Sequence, residues 1–134
     1  MKKNEKATEI YKRLHKLYPD AHCELDHKNA YELLVATILS AQCTDVRVNM
    51  VTPNLFKKYP TPEKLAKADQ LDVEEIIRST GFYKNKAKNI ISCASELVTR
   101  FKSEIPQSIE ELSSLAGVGR KTANVVVGNI YNIN

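Results

Sequence analysis

The chain has 134 residues, of which 43% are hydrophobic, and its 20 basic and 16 acidic residues give a formal net charge of +4. This length and apolar content suffice for one compact domain with a buried core, which excludes a wholly disordered chain. No run approaches the roughly 20 apolar residues of a membrane-spanning helix, so we expect a cytoplasmic protein without a membrane partner. The small basic excess is only a weak indication of a polyanionic partner.

Apolar residues recur at helical spacing through most of the sequence, and alternating strand patterns are scarce. The predicted helices cover about residues 5–18, 30–41, 45–58, 62–68, 73–80, 85–102, 109–115 and 120–131. Four of their starts carry side chains that can accept hydrogen bonds from the first free amides: Thr44 with Asp45, Thr61 with Pro62, Asp72 with Glu75, and Ser108 with Glu111. With short connections, the predicted fold class is an all-α helical bundle.

The three cysteines, Cys23, Cys43 and Cys93, are widely separated and form no Cys-x-x-Cys pair. An odd number at this spacing argues against a zinc site and against a disulfide framework. We therefore expect reduced cysteines and no metal site in this chain.

The stretch from Leu112 to Val127 places two apolar half-helices on either side of a Gly-x-Gly turn. Gly117 and Gly119 can turn the chain sharply and leave unobstructed amides at the positive end of the next helix, where a phosphate can bind. A lone Gly-x-Gly is also typical of a simple helix end. Here the flanking apolar residues are spaced to pack the two helices together.

The pattern over about residues 109–131 resembles the helix-hairpin-helix motif, which grips the DNA backbone without reading its sequence. The resemblance implies a monovalent cation at the hairpin carbonyls. It also implies DNA contacts from this part of the chain, at Leu115, Gly117, Val118, Gly119, Arg120 and Thr122.

Lys121 lies in the first turn of the second hairpin helix, beside Arg120. The neighbouring cation and the positive end of the helix both disfavour a protonated ammonium, which favours the neutral amine that a nucleophile requires. A lysine at this position could equally be a phosphate contact. Position alone leaves both roles open.

Three blocks of the sequence, residues 33–45, 81–87 and 115–124, resemble the endonuclease III family in order and spacing. The resemblance covers nearly the entire chain and implies the fold of a helix-hairpin-helix DNA glycosylase. It also implies base-excision repair of double-stranded DNA that carries a damaged base or an abasic site. In that family the lysine at the position of Lys121 is catalytic: it attacks the sugar C1′ of an oxidised pyrimidine nucleotide, and the Schiff base drives β-elimination.

The same resemblance implies that two further loops contact DNA, one through Gln42 and Thr44 and the other through Phe82 and Lys84. Gln42, just before the helix cap at Thr44, corresponds to the residue that fills the gap left by the flipped base. Phe82 corresponds to an apolar side chain that inserts into the duplex, next to the basic cluster Lys84, Lys86 and Lys88, whose charges are expected to contact phosphate. Without the resemblance, Gln42 is more typical of a solvated loop and Phe82 of a core anchor.

Two family features are missing from the sequence. A catalytic aspartate in a Val-Asp-Thr-His block is expected beyond Asn134, and the three cysteines match none of the four that bind a four-iron four-sulfur cluster in the full-length family members. We therefore expect a fragment of low activity, truncated before the iron-sulfur cluster domain. Residues 1–21 would belong to that incomplete domain, and residues 22–134 would form the bundle. Ala116 replaces the usual proline before Gly117, which is expected to loosen the hairpin slightly.

Two other functions stay open at this point. One is a non-catalytic helix-hairpin-helix module that only clamps phosphate. The other is the adenine-removing branch of the glycosylases, which typically lacks a lysine at the position of Lys121.

We also expect apolar residues of the first helix and of the last, around Val125 to Ile130, to lack cover. Such exposed stripes predict that this fragment self-associates, although a full-length family member would be a monomer.

Overall fold

The computed structural model describes residues 24–130. These residues form seven α-helices and a short 3-10 helix at Arg78–Thr80, with no strand among them, which confirms the all-α prediction. The α-helices are α1 (Ala30–Leu39), α2 (Asp45–Lys58), α3 (Pro62–Ala66), α4 (Gln70–Ile77), α5 (Tyr83–Phe101), α6 (Ile109–Ser113) and α7 (Arg120–Ile130). The predicted helix at 5–18 lies outside the described residues. Within residues 24–130, every helix is too short or too polar to cross a membrane.

Three of the four predicted helix starts are confirmed, because Thr44, Thr61 and Ser108 each accept a hydrogen bond from an amide of the first turn. The predicted cap at Asp72 is wrong, since α4 begins earlier and Asp69 caps it. The Asp72 carboxylate instead accepts the Tyr59 hydroxyl at 2.5 Å and pairs with Lys58 at 2.9 Å. These two contacts hold the pKa of Asp72 below its usual range.

Helix α1 lies at the centre of the core and is buried from Tyr31 to Leu39. A helix that is apolar on all sides must be surrounded, and α2, α5 and α7 pack around it. Helix α7 buries Val126 and Val127 in this way. The expectation that the last helix lacks apolar cover is therefore wrong at these two positions, because α1 and α6 supply the cover.

Helix α5 is the longest of the described helices, with 19 residues. It packs against α1, α3 and α4 and buries a stripe that includes Ile90 and Leu97. Its two ends are marked by left-handed residues, Phe82 before it and Lys102 after it. This length allows α5 to support both of the regions to which the sequence assigns DNA contacts.

Candidate functional site

The predicted hairpin joins α6 to α7. The Val118 N–H donates to the Leu115 carbonyl at 3.1 Å, which closes a four-residue turn with Gly117 in its third position at φ +77°. A positive φ at that position is the requirement of a type II turn and favours glycine. A Cβ on Gly117 would also lie 2.8 Å from the Cβ of Asn89. The fold itself therefore requires glycine at position 117.

The fold does not require glycine at position 119. Its φ is outside the left-handed region, and an added Cβ would meet nothing within 4 Å. Helix α7 begins directly after it, so the amides of Gly119 and of the first helical turn have no acceptor within the helix. Such donors at the positive end of a helix can bind an anion, and a missing side chain leaves that anion room to approach.

The first turn of α7 presents two basic side chains to solvent. Arg120 and Lys121 are both exposed, whereas Thr122 is half-buried. Within residues 24–130, neither basic side chain forms an ion pair. Lys121 therefore lies in the same helical turn as the open amides with no ion-pair partner in the described part of the chain, and its exposed amine could bind a phosphate or attack a bound electrophile.

Leu115 and Val118 are predicted to contact DNA, but their side chains face inward. Their side chains are 3% and 5% exposed, respectively, and belong to the core. A contact with DNA from either residue would have to come from the backbone, and the Val118 N–H is already used inside the turn.

Helix α5 holds the hairpin from one side. The Glu96 carboxylate accepts the Ala116 N–H at 3.0 Å, and the Arg100 guanidinium donates to the Ser114 hydroxyl at 3.1 Å. A proline at position 116 would have no N–H to donate. Ala116 therefore ties the hairpin to α5 through a bond that proline cannot make, and the expected loosening stays a prediction. Sequence reasoning missed Glu96, because no local pattern pairs it with a residue 20 positions away.

Gln42 lies in the turn between α1 and α2, which we call the Gln42 turn (Ser40–Cys43). The Cys43 N–H donates to the Ser40 carbonyl at 3.1 Å, and Gln42 adopts φ +54° with an exposed side chain. The left-handed conformation costs a residue with a side chain roughly 1 kcal/mol. Retaining a long polar side chain at such a position is a common feature of functional sites.

Phe82 lies in the second such turn, which we call the Phe82 turn (Gly81–Phe82), just before α5. Both residues have positive φ, at +81° and +48°. The Phe82 side chain is 64% exposed, so its interpretation as a core anchor is wrong. The turn directs a large apolar side chain into solvent, which is what an inserting wedge requires.

The predicted basic cluster is divided between two faces of α5. Lys84 and Lys88 are exposed, as residues four apart share one helix face, but Lys86 is only 5% exposed. Its ammonium donates to the Leu39 carbonyl at 2.8 Å and to the Thr80 carbonyl at 2.9 Å. Burial lowers the pKa of Lys86. The prediction that Lys86 contacts phosphate is therefore wrong.

The described cysteines do not form a cluster site. Cys43 is half-buried in the Gln42 turn, and Cys93 is buried in α5, where burial raises its pKa to about 12. Within residues 24–130, no group of three or more His, Cys, Asp or Glu side chains could hold a metal ion. The residues in this part of the chain thus do not fit an iron-sulfur cluster.

Comparison with known proteins gives consistent matches. The family model described as HhH-GPD superfamily base excision DNA repair protein matches residues 35–132. The chain is 55% identical to Endonuclease III of Synechocystis sp. over 131 residues, which is 98% of this chain and 60% of that protein. It is 46% identical to Endonuclease III of Bacillus subtilis over 87% of this chain and 53% of that protein.

A solved structure of a trapped covalent intermediate between Endonuclease III and DNA is also similar, with a TM-score of 0.83 at 46% identity. The match covers 96% of this chain and 62% of that one. The chain therefore spans little more than half the length of the relatives that it matches.

Proposed function

Because the chain belongs to the HhH-GPD superfamily of base excision DNA repair proteins, we propose that it is the part of a DNA glycosylase and abasic-site lyase that grips damaged DNA and supplies the attacking amine. The observation that carries the proposal is the hairpin, where the side-chain-free Gly119 precedes the open amides of α7, and where the exposed Lys121 of the first turn forms no ion pair within residues 24–130. A similar protein, an Endonuclease III, has been captured in a covalent intermediate with DNA.

The hairpin would act first as a clamp on the DNA backbone. A phosphate that approaches Gly119 meets the amides of the first turn of α7 and the charge of Arg120. Contacts of this kind position the protein without reading bases. We propose a monovalent cation at the hairpin carbonyls as a further part of this clamp.

The two turns would then occupy the duplex at the lesion. Phe82 offers an apolar surface to a neighbouring base step, and Gln42 offers an amide to the strand that loses its partner. Inserted side chains offset part of the unstacking cost, and that cost is lowest for a damaged or mismatched base. The substrate class proposed from the family resemblance is an oxidised pyrimidine, or an abasic site, in double-stranded DNA.

Lys121 would carry the covalent chemistry. Its amine attacks C1′ and forms a C–N bond, while the bond between C1′ and the base breaks. The base leaves with the electron pair and takes up the proton that the amine loses. The C1′–O4′ bond then breaks, O4′ takes up a proton from water, and the nitrogen lone pair forms a protonated Schiff base, which acidifies the C2′ hydrogen. Loss of that proton expels the 3′ phosphate and cuts the strand. Water then hydrolyses the Schiff base and releases Lys121.

Borohydride trapping on a duplex with an abasic site tests this role, because reduction makes the Schiff base permanent. We expect a covalent adduct with the wild-type chain and none with Lys121→Ala. Arg120→Ala is the matched control: it should weaken DNA binding but still give an adduct at saturating protein. An adduct of undiminished yield from Lys121→Ala would overturn the proposal. If no adduct forms with any variant although DNA binds, the non-catalytic clamp is the correct interpretation.

The 134 residues do not include the aspartate expected to assist departure of the base. With these residues alone, we therefore expect trapping at a preformed abasic site but little release of an oxidised pyrimidine. Normal turnover of an oxidised-pyrimidine duplex by the 134-residue chain would show that the missing aspartate matters less than proposed.

Three further properties of the whole protein stay proposals. They are a cytoplasmic location, a four-iron four-sulfur cluster held by cysteines that follow this chain, and a monomeric state. Self-association of the 134-residue chain stays a prediction, as does the division into residues 1–21 and 22–134. Size-exclusion chromatography with light scattering would measure the self-association directly.

A further inference from the structure

A buried ammonium joins two parts of the chain that are far apart in sequence. Lys86 donates through Nζ to the carbonyl of Leu39, 47 residues away, and to the carbonyl of Thr80. Its own backbone N–H donates to the Phe82 carbonyl at 3.0 Å. One residue is thus bonded to the last residue of α1, to the last residue of the 3-10 helix and to the Phe82 turn.

The chemistry of this contact is unusual for a lysine. No carboxylate of residues 24–130 forms an ion pair with Lys86. Its ammonium donates to two carbonyl oxygens, and Cys43 is the described side chain that interacts with its charge. Both acceptors lie at helix C-termini, where the carbonyls carry partial negative charge and lack partners within the helix. A methionine or leucine could fill the same volume without any desolvation of charge. The ammonium is therefore suited to fixing the two carbonyls relative to each other.

Each carbonyl lies two or three residues before a left-handed residue with an exposed side chain. Leu39 precedes Gln42 by three residues, and Thr80 precedes Phe82 by two. We propose that Lys86 is a positioning residue that makes the Gln42 turn and the Phe82 turn one rigid unit, so that both side chains enter a duplex together. This inference rests on the proposed function, since it presupposes that the two turns contact DNA.

A double-mutant cycle tests the inference. Gln42→Ala, Phe82→Ala and the double variant are titrated against a duplex with a tetrahydrofuran abasic-site analogue opposite 2-aminopurine, and both affinity and fluorescence are followed. If the turns enter together, either substitution alone removes most of the affinity that the two side chains contribute. The affinity loss of the double variant should therefore be about five- to ten-fold smaller than the product of the two single losses. In the Lys86→Met background, the affinity loss of the double variant should equal the product of the two single losses within about two-fold.

Two further variants separate positioning from charge and from folding. Lys88→Met removes an exposed charge from the same helix and should weaken binding to damaged and undamaged duplex alike, with the coupling unchanged. Lys86→Arg retains the donors and should keep the coupling. If circular dichroism shows that Lys86→Met is unfolded, Lys86→Gln replaces it, because its shorter side chain can reach at most one of the two carbonyls, and the coupling should then fall.

The possible outcomes separate this inference from the proposed function. If neither Gln42→Ala nor Phe82→Ala weakens binding to the abasic duplex, the proposed role of the turns in DNA binding fails, and the inference fails with it. If both weaken binding but act independently in the wild-type background, or if the coupling persists without the Lys86 ammonium, the inference is wrong while the proposed function stands.

Discussion

The hairpin and the pair of turns solve the same problem of chain reversal with opposite residue types. In the hairpin, Gly117 occupies the left-handed position, where a side chain would strike Asn89. In the two turns, Gln42 and Phe82 occupy left-handed positions with side chains that are exposed. The hairpin therefore requires glycine, whereas the two turns keep exposed side chains despite backbone strain. Under the proposed function, the first arrangement suits a clamp formed by the backbone and the second suits an inserted side chain.

The support of the two regions also differs, although both depend on α5. The hairpin is held from the outer face of α5 by Glu96 and Arg100, which lie four residues apart on one helix face. The turns are held from inside the core by the single ammonium of Lys86. The following predictions test this contrast through the free energy of unfolding and through DNA binding.

The largest difference is expected between the two hairpin glycines. Gly117→Ala should lower the free energy of unfolding by about 2 kcal/mol or more, because it adds left-handed strain and a clash with Asn89. Gly119→Ala should change it by less than about 0.5 kcal/mol yet weaken DNA binding. Urea denaturation and a binding titration measure the two effects. Equal losses of stability would contradict the distinction between a glycine required by the fold and one required by the ligand.

Alkaline pH should change stability in opposite directions through two buried residues of α5, Cys93 and Lys86. Burial raises the pKa of Cys93 to about 12, so the folded state keeps a proton that the unfolded state loses, and stability falls as pH rises from about 9 towards 12. Burial lowers the pKa of Lys86, so the folded state loses its proton first, and stability rises as pH approaches 10.5.

We therefore expect Cys93→Ala to flatten the decline of stability above pH 9 and Lys86→Met to steepen it. The change in slope should be at most about 1.4 kcal/mol per pH unit, which corresponds to one proton. Urea midpoints recorded from pH 8 to 10.5 measure both slopes. Parallel pH profiles for the wild type and the two variants would show that neither residue titrates differently in the folded and unfolded states.

Removal of the hydrogen bond between α5 and the hairpin should have an intermediate effect. Glu96→Ala should cost about 1 kcal/mol of stability, because it leaves the Ala116 N–H without its acceptor. Glu96→Gln retains an acceptor oxygen and should recover most of the loss. Amide hydrogen exchange at Ala116 should accelerate in the alanine variant alone, and unchanged exchange there would show that Glu96 does not hold the hairpin.

The smallest effect is expected from relief of strain in the turns. Phe82→Gly and Lys102→Gly both replace a left-handed residue at an end of α5 and should each stabilise the fold by about 0.5 kcal/mol. Only Phe82→Gly should weaken binding to an abasic duplex, because Lys102 follows the opposite end of the helix. Comparable losses of binding from both variants would argue against a wedge at Phe82.

Local sequence patterns determined most of the helical framework. Side-chain caps at Thr44, Thr61 and Ser108 act within one helical turn, so the residues that make each helix start are adjacent in the sequence. The hairpin was predictable for a similar reason, since its glycines and flanking apolar residues all lie between residues 109 and 131. The family resemblance added functional roles to Lys121, Gln42 and Phe82, and these roles stay predictions.

Only the tertiary structure decided which side chains face inward and what they meet there. The sequence grouped Lys86 with Lys84 and Lys88, because its ammonium donates to the last carbonyls of two other helices, which no local pattern reveals. Likewise, Asp72 is of a residue type that often caps helices, but its carboxylate instead accepts a hydrogen bond from the Tyr59 hydroxyl at the end of another helix. Periodicity records which faces of a helix are apolar, whereas the partner of a buried polar group depends on the packing of elements far apart in the chain.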